Sequence, residues 1–300
     1  MRAIELGATL YVPALNPNLS DCVMGVDPHL KSMIVCLEDA IRDDEVATAE
    51  RTFAQMLPGW SRRAPRPFVY VRPRNMCMLY RMLSLPGIDN IDGFVLPKVT
   101  SSNLSSWLHT LQDTRHSFMP TVEGLEAFDR GALERIRDGL KPHVDRVTAI
   151  RIGGNDILNL LGVRRSRSRT AYEGPLGEAI RTIASVFLPA GIAVAAPVFE
   201  HYAALDVLIG EMELDIEHGL LTKTAIHPQQ IRTIQEAYRP TAIEVSEARA
   251  VLAEGAEAVF GLHGSMCEPA THRRWAECVV ERAQVHGIAG QIGHGRSLVA

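Results

Sequence analysis

Two carboxylates follow short apolar segments of this 300-residue chain, at points where buried strands are expected to end. Glu123 follows the segment 119–122, and Asp156 follows the segment 150–155. Adjacent parallel strands lie about 5 Å apart, so two carboxylates at neighbouring strand ends can bind one cation. Oxygen ligands without a His or Cys cluster favour Mg²⁺, with water and substrate oxygens completing the octahedron. We therefore predict a magnesium site with Glu123 and Asp156 as its protein ligands.

Other charged residues near this predicted site suit enolate chemistry. Glu38 and Asp39 follow the apolar segment 32–37, where they are expected to hydrogen-bond metal-bound waters. Arg72 follows the segment 67–71, and its guanidinium offers paired donors to a substrate carboxylate or to a developing enolate oxygen. A metal ion beside such an arginine acts as a Lewis acid when a C–C bond breaks. The residue types therefore indicate a site that stabilises an enolate.

Each of these residues also has an ordinary structural interpretation. A lone carboxylate after a strand more often caps the next helix. Arg72 and Lys98 would then be solvated or paired with neighbouring acids. The arginine and serine segment 164–169 is more often a solvated loop than a phosphate site. The residue pattern alone leaves these alternatives open.

Eight apolar segments with helical segments between them must position these residues. They cover 8–13, 32–37, 67–71, 93–96, 118–122, 147–152, 191–195 and 222–226. Alternating strands and helices with polar residues at the strand ends favour an α/β fold of the TIM (β/α)8 barrel type. Beyond Pro240, helical segments at about 243–255 and 270–286 flank a glycine-rich stretch. We therefore predict a barrel domain at 1–239 and a C-terminal helical appendage at 240–300.

The composition argues against several classes of function. The chain is 46% hydrophobic and 22% charged with a net charge of −4, which is typical of a globular protein without a broad nucleic-acid surface. Its five cysteines are dispersed and form no C-x-x-C pair, so neither a disulfide framework nor a zinc knuckle is indicated. No segment has the pattern of a secretory signal or of a membrane span. We expect a cytoplasmic protein with no nucleic-acid and no membrane partner.

Seven short motifs occur in order along the chain. They are Leu10-Tyr11-Val12-Pro13-Ala14, Leu37-Glu38-Asp39-Ala40-Ile41, Val71-Arg72, Leu96-Pro97-Lys98, Asp156 to Gly162, Ile226 to Ile231 and Gly264 to Pro269. In this order and spacing they resemble the citrate lyase β-subunit branch of the HpcH/HpaI aldolase/citrate lyase family, a TIM-barrel family of the phosphoenolpyruvate/pyruvate superfamily. The pair Glu38-Asp39 favours this branch over the pyruvate aldolases, which carry Glu-His at that place.

The resemblance implies a Mg²⁺-dependent carbon–carbon lyase of aldolase or Claisen type. Such enzymes act on a 3-hydroxy acid or on its coenzyme A thioester, so the expected partner is a small carboxylate or acyl-thioester substrate. Glu268 holds the place of a family Asp that completes the active site of a neighbouring subunit, so a homo-oligomer, either trimer or hexamer, is expected. The metal ligands implied are Glu123 and Asp156, and the catalytic residues implied are Arg72, Glu38, Asp39 and Glu268.

Four departures from the family pattern indicate a divergent member with its own substrate. Cys36 and Arg74 replace an Asp and an Asn, Glu268 is one methylene longer than the family Asp, and residues 153–155 replace the usual lead into Asp156. Two alternatives therefore stay open. One is an aldolase for a free 2-keto-4-hydroxy acid in a biosynthetic pathway. The other is a barrel without catalysis that serves as a binding or assembly subunit.

Overall fold

The computed structural model, which describes residues 2–60 and 66–290, contains eight parallel strands that alternate with helices. They are β1 (Ala8–Pro13), β2 (Ser32–Cys36), β3 (Phe68–Arg72), β4 (Gly93–Leu96), β5 (Ser117–Val122), β6 (Ile150–Ile152), β7 (Val194–Ala195) and β8 (Lys223–Ala225). Their order in the sheet is β7-β6-β5-β4-β3-β2-β1-β8. A parallel bridge between Ala196 and Lys223 joins the two remaining edges, so the sheet nearly closes on itself. The predicted (β/α)8 barrel is confirmed.

Helices follow the strands and cover the barrel with their apolar faces. They are α1 (Leu19–Val23), α2 (Val46–Met56), α3 (Met76–Met82), α4 (Leu104–Leu111), α5 (Arg130–Leu140), α6 (Gly154–Leu160), α7 (Pro175–Phe187), α8 (Leu205–Glu217) and α9 (Pro228–Ala237). Helix α5 shows why they form. Its cap Asp129 accepts a hydrogen bond from the Ala132 amide at 3.0 Å, and Leu133, Ile136 and Leu140 are buried at helical spacing. Within the described residues, no helix has the length and apolar character needed to span a membrane.

The interior of the barrel is layered, and the layers differ in polarity. One layer is a buried, mostly apolar cluster with members near the middle of the strands: Leu6, Ile34, Tyr70, Val95, Met119, Ala149 and Ala195. Alternate residues of a strand face the same side. The next inward positions toward the carboxyl ends are therefore Cys36, Arg72, Thr121 and Arg151, and these line a cavity. The apolar layer holds the strands together, and polar chemistry is confined to their carboxyl ends.

A fully buried ionic network joins β8 to α8. Lys223 Nζ lies 2.8 Å from Glu211 Oε1 and 2.7 Å from Asp215 Oδ2, and all three side chains are 0% exposed. Arg165 pairs with the other oxygen of Glu211, and the Tyr172 hydroxyl donates to Asp215 at 2.8 Å. The network therefore fastens the segment after α6, including part of the arginine and serine run, to α8.

The chain divides into two units, Met1–Ile234 and Gln235–Ala300. The second unit contains α10 (Ala242–Leu252), the antiparallel strands β9 (Phe260–Leu262) and β10 (Ser265–Cys267), and α11 (Pro269–His286). Its core consists of Val245, Ala248, Val251, Cys267, Ala276 and Val279. The assignment of functional domains to 1–239 and 240–300 stays a prediction, and residues 291–300 of the predicted appendage lie outside the described residues.

The sequence indicated both helices of this unit but not its hairpin. His263 and Gly264 connect β9 to β10 with φ of 50° and 82°. A two-residue hairpin connection with both central φ angles positive matches the right-handed twist of the strands. The glycine-rich stretch is therefore a hairpin turn between the two helices.

Candidate active site

The carboxyl ends of β2 to β6 bring most of the predicted site residues to one end of the barrel. Glu38 and Asp39 follow β2, Arg72 ends β3, Lys98 follows β4, Glu123 follows β5, and Asp156 lies in the first turn of α6 after β6. Because these strands are adjacent and parallel, their carboxyl ends lie side by side. Five of the six residues predicted from the sequence thus belong to one region, and Glu268 belongs to the second unit.

A cavity of about 480 Å³ lies at this end of the barrel, within the range typical of small-molecule sites. Its polar lining consists of Tyr11, Cys36, Asp39, Arg72, Thr121, Arg151, Asn155, Asp156, Asn159 and Thr224. Glu38 and Glu123 are buried beside this lining, 2% and 4% exposed. The cavity therefore offers both charge signs and hydroxyl groups to a small polar ligand.

Arg72 is held in place by two carboxylates. Its Nη2 donates to both Glu38 and Asp39, and its Nε has no hydrogen-bond partner in the part of the chain that the structure describes. Lys98 Nζ lies 2.7 Å from the other oxygen of Glu38. Glu38 therefore bridges two cations, and together with Asp39 it holds one end of the Arg72 guanidinium.

Glu123 is fixed by one oxygen and unsatisfied at the other. Its Oε1 accepts a hydrogen bond of 2.6 Å from the Lys98 amide, while its buried Oε2 has no partner among the described residues. Lys98 has φ of 51°, a left-handed conformation that is uncommon and strained for a residue with a side chain. That strain is stored where the backbone turns to hold Glu123.

Gly153 leaves space for the Glu123 side chain. A Cβ at position 153 would lie 2.3 Å from Glu123 Cβ and 2.6 Å from Oε2. Any larger residue would displace the carboxylate. This close approach explains why the chain has glycine at the first of the three positions that depart from the family pattern.

The electrostatics of this region disfavour full ionisation. Burial, together with the negative charge of Asp156, raises the pKa of Glu123 to about 7, although Arg72 opposes the shift. Burial and the charge of Asp39 raise the pKa of Asp156. Burial also raises the pKa of Glu38, and its hydrogen bond with Asp39 adds to the shift. A cation would relieve the repulsion among these carboxylates.

The donor set at Glu123 and Asp156 fits a hard cation. The free Oε2 of Glu123 and the carboxylate of Asp156 are the oxygen ligands that Mg²⁺ prefers. Among the described residues, no group of three or more His, Cys, Asp or Glu side chains is arranged as a metal site. Two carboxylates completed by water and substrate oxygens are nevertheless a common way to bind Mg²⁺. The residues present therefore fit the predicted ion.

The other departures from the family pattern have local structural roles. Cys36 is buried in the cavity lining. Arg74 donates to the carbonyl oxygens of Glu38 and Ile41 at 3.3 Å each, and so supports the loop after β2. Asn75 caps α3 by accepting from the Met78 amide at 3.0 Å. Two of the residues that depart from the family pattern, Cys36 and Arg74, thus lie around the loop that carries Glu38 and Asp39.

Glu268 lies directly before α11 in the second unit. Its amide donates to His272 Nδ1 at 3.1 Å, and its Oε2 accepts from the Thr271 hydroxyl at 2.8 Å. These contacts anchor the start of the helix. An acid or base role for Glu268 stays a prediction.

The sequence interpretation did not single out several residues of the cavity. Tyr11 contacts two guanidinium groups, with its ring centroid 5.5 Å from Arg72 Cζ and 5.3 Å from Arg151 Cζ. Thr121 and Thr224 complete the interior lining. The sequence feature that could have indicated these residues is Arg151, because a charged residue at the centre of an apolar strand is unusual.

The fold is similar to that of several solved proteins. Protein CitE from Mycobacterium tuberculosis, solved with magnesium, acetoacetate and coenzyme A, has a TM-score of 0.69 and 19% identity over 94% of this chain and 99% of that chain. A citrate lyase from Burkholderia xenovorans LB400 has a TM-score of 0.73 and 19% identity over 95% and 93%. The citrate lyase β subunit from M. tuberculosis, solved with oxaloacetate and magnesium, has a TM-score of 0.58 and 17% identity over 80% and 100%.

At these identities the structural likeness concerns the fold. No curated protein matches the chain in sequence. A family model does match it, over residues 1–288, and that model describes C–C bond lyases of the TIM-barrel fold. With the barrel, the carboxylate cluster and this match over nearly the whole length, the chain belongs to the C–C bond lyase family of the TIM-barrel fold.

Proposed function

We propose that the protein is a Mg²⁺-dependent carbon–carbon lyase of aldolase or Claisen type, acting on a 3-hydroxy acid or its coenzyme A thioester. The observation that carries this proposal is the buried Glu123 carboxylate, whose Oε2 has no partner among the described residues. It belongs to the same strand-end cluster as Asp156 and the fixed guanidinium of Arg72. Family membership supports the reaction class.

Each residue of the cluster has a part in this proposal. Glu123 and Asp156 would hold Mg²⁺, which supplies Lewis-acid stabilisation to the oxygen that becomes negative when the C–C bond breaks. Arg72 binds the substrate carboxylate through N–H groups that its pairing with Glu38 leaves free. Glu38 and Asp39 keep the guanidinium in place and accept hydrogen bonds from ordered water.

The structural relatives support the ion and the substrate class. Protein CitE from M. tuberculosis was solved with magnesium, acetoacetate and coenzyme A, and the citrate lyase β subunit with magnesium and oxaloacetate. Both ligand sets combine magnesium with a small keto acid. We extend this combination of ion and acid to the present chain as part of the proposal.

One observation favours the alternative of a free 2-keto-4-hydroxy acid. In the arginine and serine segment, Arg164 pairs with Glu200 at 2.9 Å and Arg165 pairs with the buried Glu211. Arg165, whose side chain is 2% exposed, is therefore engaged within the protein and is poorly placed to bind the phosphates of coenzyme A. Retention on immobilised coenzyme A would separate the two substrates, because only a thioester enzyme should be retained.

The proposal is tested by isothermal titration with oxaloacetate or pyruvate, with and without Mg²⁺. We expect Mg²⁺-dependent binding to the wild type, its loss in Asp156→Asn, and its retention in the exposed control Asp145→Asn. Binding without Mg²⁺ dependence would refute the metal-dependent mechanism. Absence of binding to the wild type would favour a barrel that serves as a binding or assembly subunit.

We also propose, from the family resemblance, that Glu268 acts as acid or base in a trimer or hexamer. Glu268→Gln should lower turnover at least about 100-fold while Mg²⁺ binding is unchanged, since removing a general acid or base typically costs 10²–10⁴-fold. Light scattering would measure the oligomeric state. Unchanged turnover in Glu268→Gln would contradict the assignment.

A further inference from the structure

One buried arginine inside the barrel has no role in the proposed reaction. Arg151 is the central residue of β6, is 1% exposed and lines the cavity. Its strand neighbours Ile150 and Ile152 are apolar and also buried. A buried positive charge is costly unless an anion compensates it. The position of Arg151 therefore calls for a compensating group.

The contacts of Arg151 are all with neutral groups. Its Nη2 donates to Thr224 Oγ1 at 2.5 Å, and its Nη1 lies 3.7 Å from the Met119 sulfur. Its guanidinium carbon lies 5.3 Å from the centroid of the Tyr11 ring. Across residues 2–60 and 66–290 it forms no ion pair, and its Nε has no hydrogen-bond partner. The chain thus solvates this cation weakly and does not neutralise it.

Other buried arginines of the same unit are neutralised within the chain. Arg66 pairs with Asp92 at 2.7 Å, and Arg165 pairs with Glu211. Their side chains are 9% and 2% exposed. In both cases a carboxylate compensates the charge of the arginine. Arg151 differs from them in lining the cavity and in having no carboxylate partner in the part of the chain that the structure describes.

A second unsatisfied polar group lies next to Arg151. Thr121 on β5 is its register partner, so both side chains face the barrel interior. The Thr121 hydroxyl is buried and has no hydrogen-bond partner among the described residues. An arginine N–H and a threonine hydroxyl are both donors that suit a negatively charged oxygen.

We propose that Arg151 and Thr121 bind a second carboxylate of the substrate, so that the substrate is a dicarboxylate. One end would lie at Glu123 and Asp156, and the other at Arg151. This inference rests on the proposed function and narrows its substrate class. A carboxylate suits the site, because a planar guanidinium can bind two oxygens of one carboxylate and the Thr121 hydroxyl beside it adds a further donor.

Isothermal titration with matched acids tests this assignment. Oxaloacetate and pyruvate differ by one carboxylate, and phosphonopyruvate carries a phosphonate in its place. All three are titrated with and without Mg²⁺ into the wild type, Arg151→Met and Thr121→Val. Arg146→Met is the control. Like Arg151, Arg146 contacts an aromatic ring, but it donates to a backbone carbonyl and precedes β6, at the opposite end of the strands.

We expect the wild type and Arg146→Met to bind oxaloacetate at least tenfold more tightly than pyruvate. Arg151→Met should lose this preference while its affinity for pyruvate changes little, because a charge-assisted hydrogen bond contributes about 10- to 100-fold. Thr121→Val should reduce the preference by a smaller factor. This second variant keeps the test decisive if Arg151→Met does not fold.

The outcomes separate this inference from the proposed function. A preference for oxaloacetate that depends on Arg151 but not on Mg²⁺ supports the carboxylate site and refutes the metal mechanism. An equal preference in wild type and Arg151→Met refutes the carboxylate site whatever Mg²⁺ does. Tighter binding of phosphonopyruvate than of oxaloacetate refutes the assignment to a carboxylate, and binding of none of the acids to the wild type refutes the site itself.

Discussion

Replacing Glu123 by Gln should stabilise the metal-free protein at alkaline pH and abolish its response to Mg²⁺. The pKa of Glu123 is raised from its ordinary value of 4.5 to about 7, mainly by burial. Each pKa unit corresponds to about 1.4 kcal/mol, so ionising this buried group costs the fold about 3 kcal/mol. Gln is uncharged and retains an oxygen that can accept the hydrogen bond from the Lys98 amide.

The sign of the pH dependence follows from the raised pKa. The folded state holds the proton more tightly than the unfolded state, so the contribution of Glu123 to stability is fully present below pH 4.5. It is lost as the pH rises from 4.5 through about 7. Without Mg²⁺, the free energy of unfolding of Glu123→Gln should therefore exceed that of the wild type by up to about 3 kcal/mol at pH 8 and by little at pH 4.5.

Urea unfolding at several pH values in EDTA measures this difference. A Trp275→Phe background leaves Trp60 and Trp107, both buried in the first unit, as the fluorescent reporters. The exposed Glu178→Gln serves as control, and its effect should stay within about 0.5 kcal/mol at every pH.

Magnesium should reverse the order of stability. Added Mg²⁺ should raise the stability of the wild type at pH 8 as RT ln(1 + [Mg²⁺]/Kd), and should leave Glu123→Gln unchanged. A Glu123→Gln variant that is less stable than the wild type by the same amount at every pH would refute the argument. It would show that the carboxylate is compensated within the apo-protein.

Two further substitutions test the supports of the site. Lys223→Met should destabilise the first unit by about 3–5 kcal/mol, because it leaves buried carboxylates without their cation. The same urea assay measures this change, with the exposed Lys141→Met as control. Equal free energies of unfolding for the two variants would contradict the prediction. Gly153→Ala should abolish Mg²⁺ binding in calorimetry while the protein stays folded, because the new Cβ would displace Glu123. The control Gly210→Ala should bind Mg²⁺ normally, since no heavy atom lies within 4 Å of its new Cβ. Normal Mg²⁺ binding by both variants would disprove the steric argument.

The architecture could be predicted because the strands are apolar runs and five of them, β2 to β6, end in or lead into a charged residue. The bounds of the later strands were less accurate. β6 covers Ile150–Ile152 rather than 147–152, and β7 covers Val194–Ala195 rather than 191–195. The ladder between these strands begins only at Ile150 and Val194. Strand ends are thus set by the partner strand, which the local sequence does not specify.

The ionic network around Lys223 could not be predicted from local sequence patterns, for a related reason. Lys223 lies in a strand, and its partners Glu211 and Asp215 lie on the preceding helix. Spacing along the chain shows that the two acids share a helix face. It does not show that this face turns toward β8. Only the packed structure reveals that the charges are paired and buried.

The charges of the cavity are distributed so that they would orient a substrate. Carboxylates surround the strand ends at Glu123 and Asp156, whereas the cation of Arg151, which forms no ion pair with the described residues, lies further back along β6. A dicarboxylate bound without Mg²⁺ would place one negative end against Asp156, and like charges in a poorly solvated site repel strongly. Bound magnesium would remove this repulsion at one end only, while Arg151 would attract the other end. Metal dependence and preference for a dicarboxylate would then arise from different residues, so substitutions at Asp156 and at Arg151 should affect them separately.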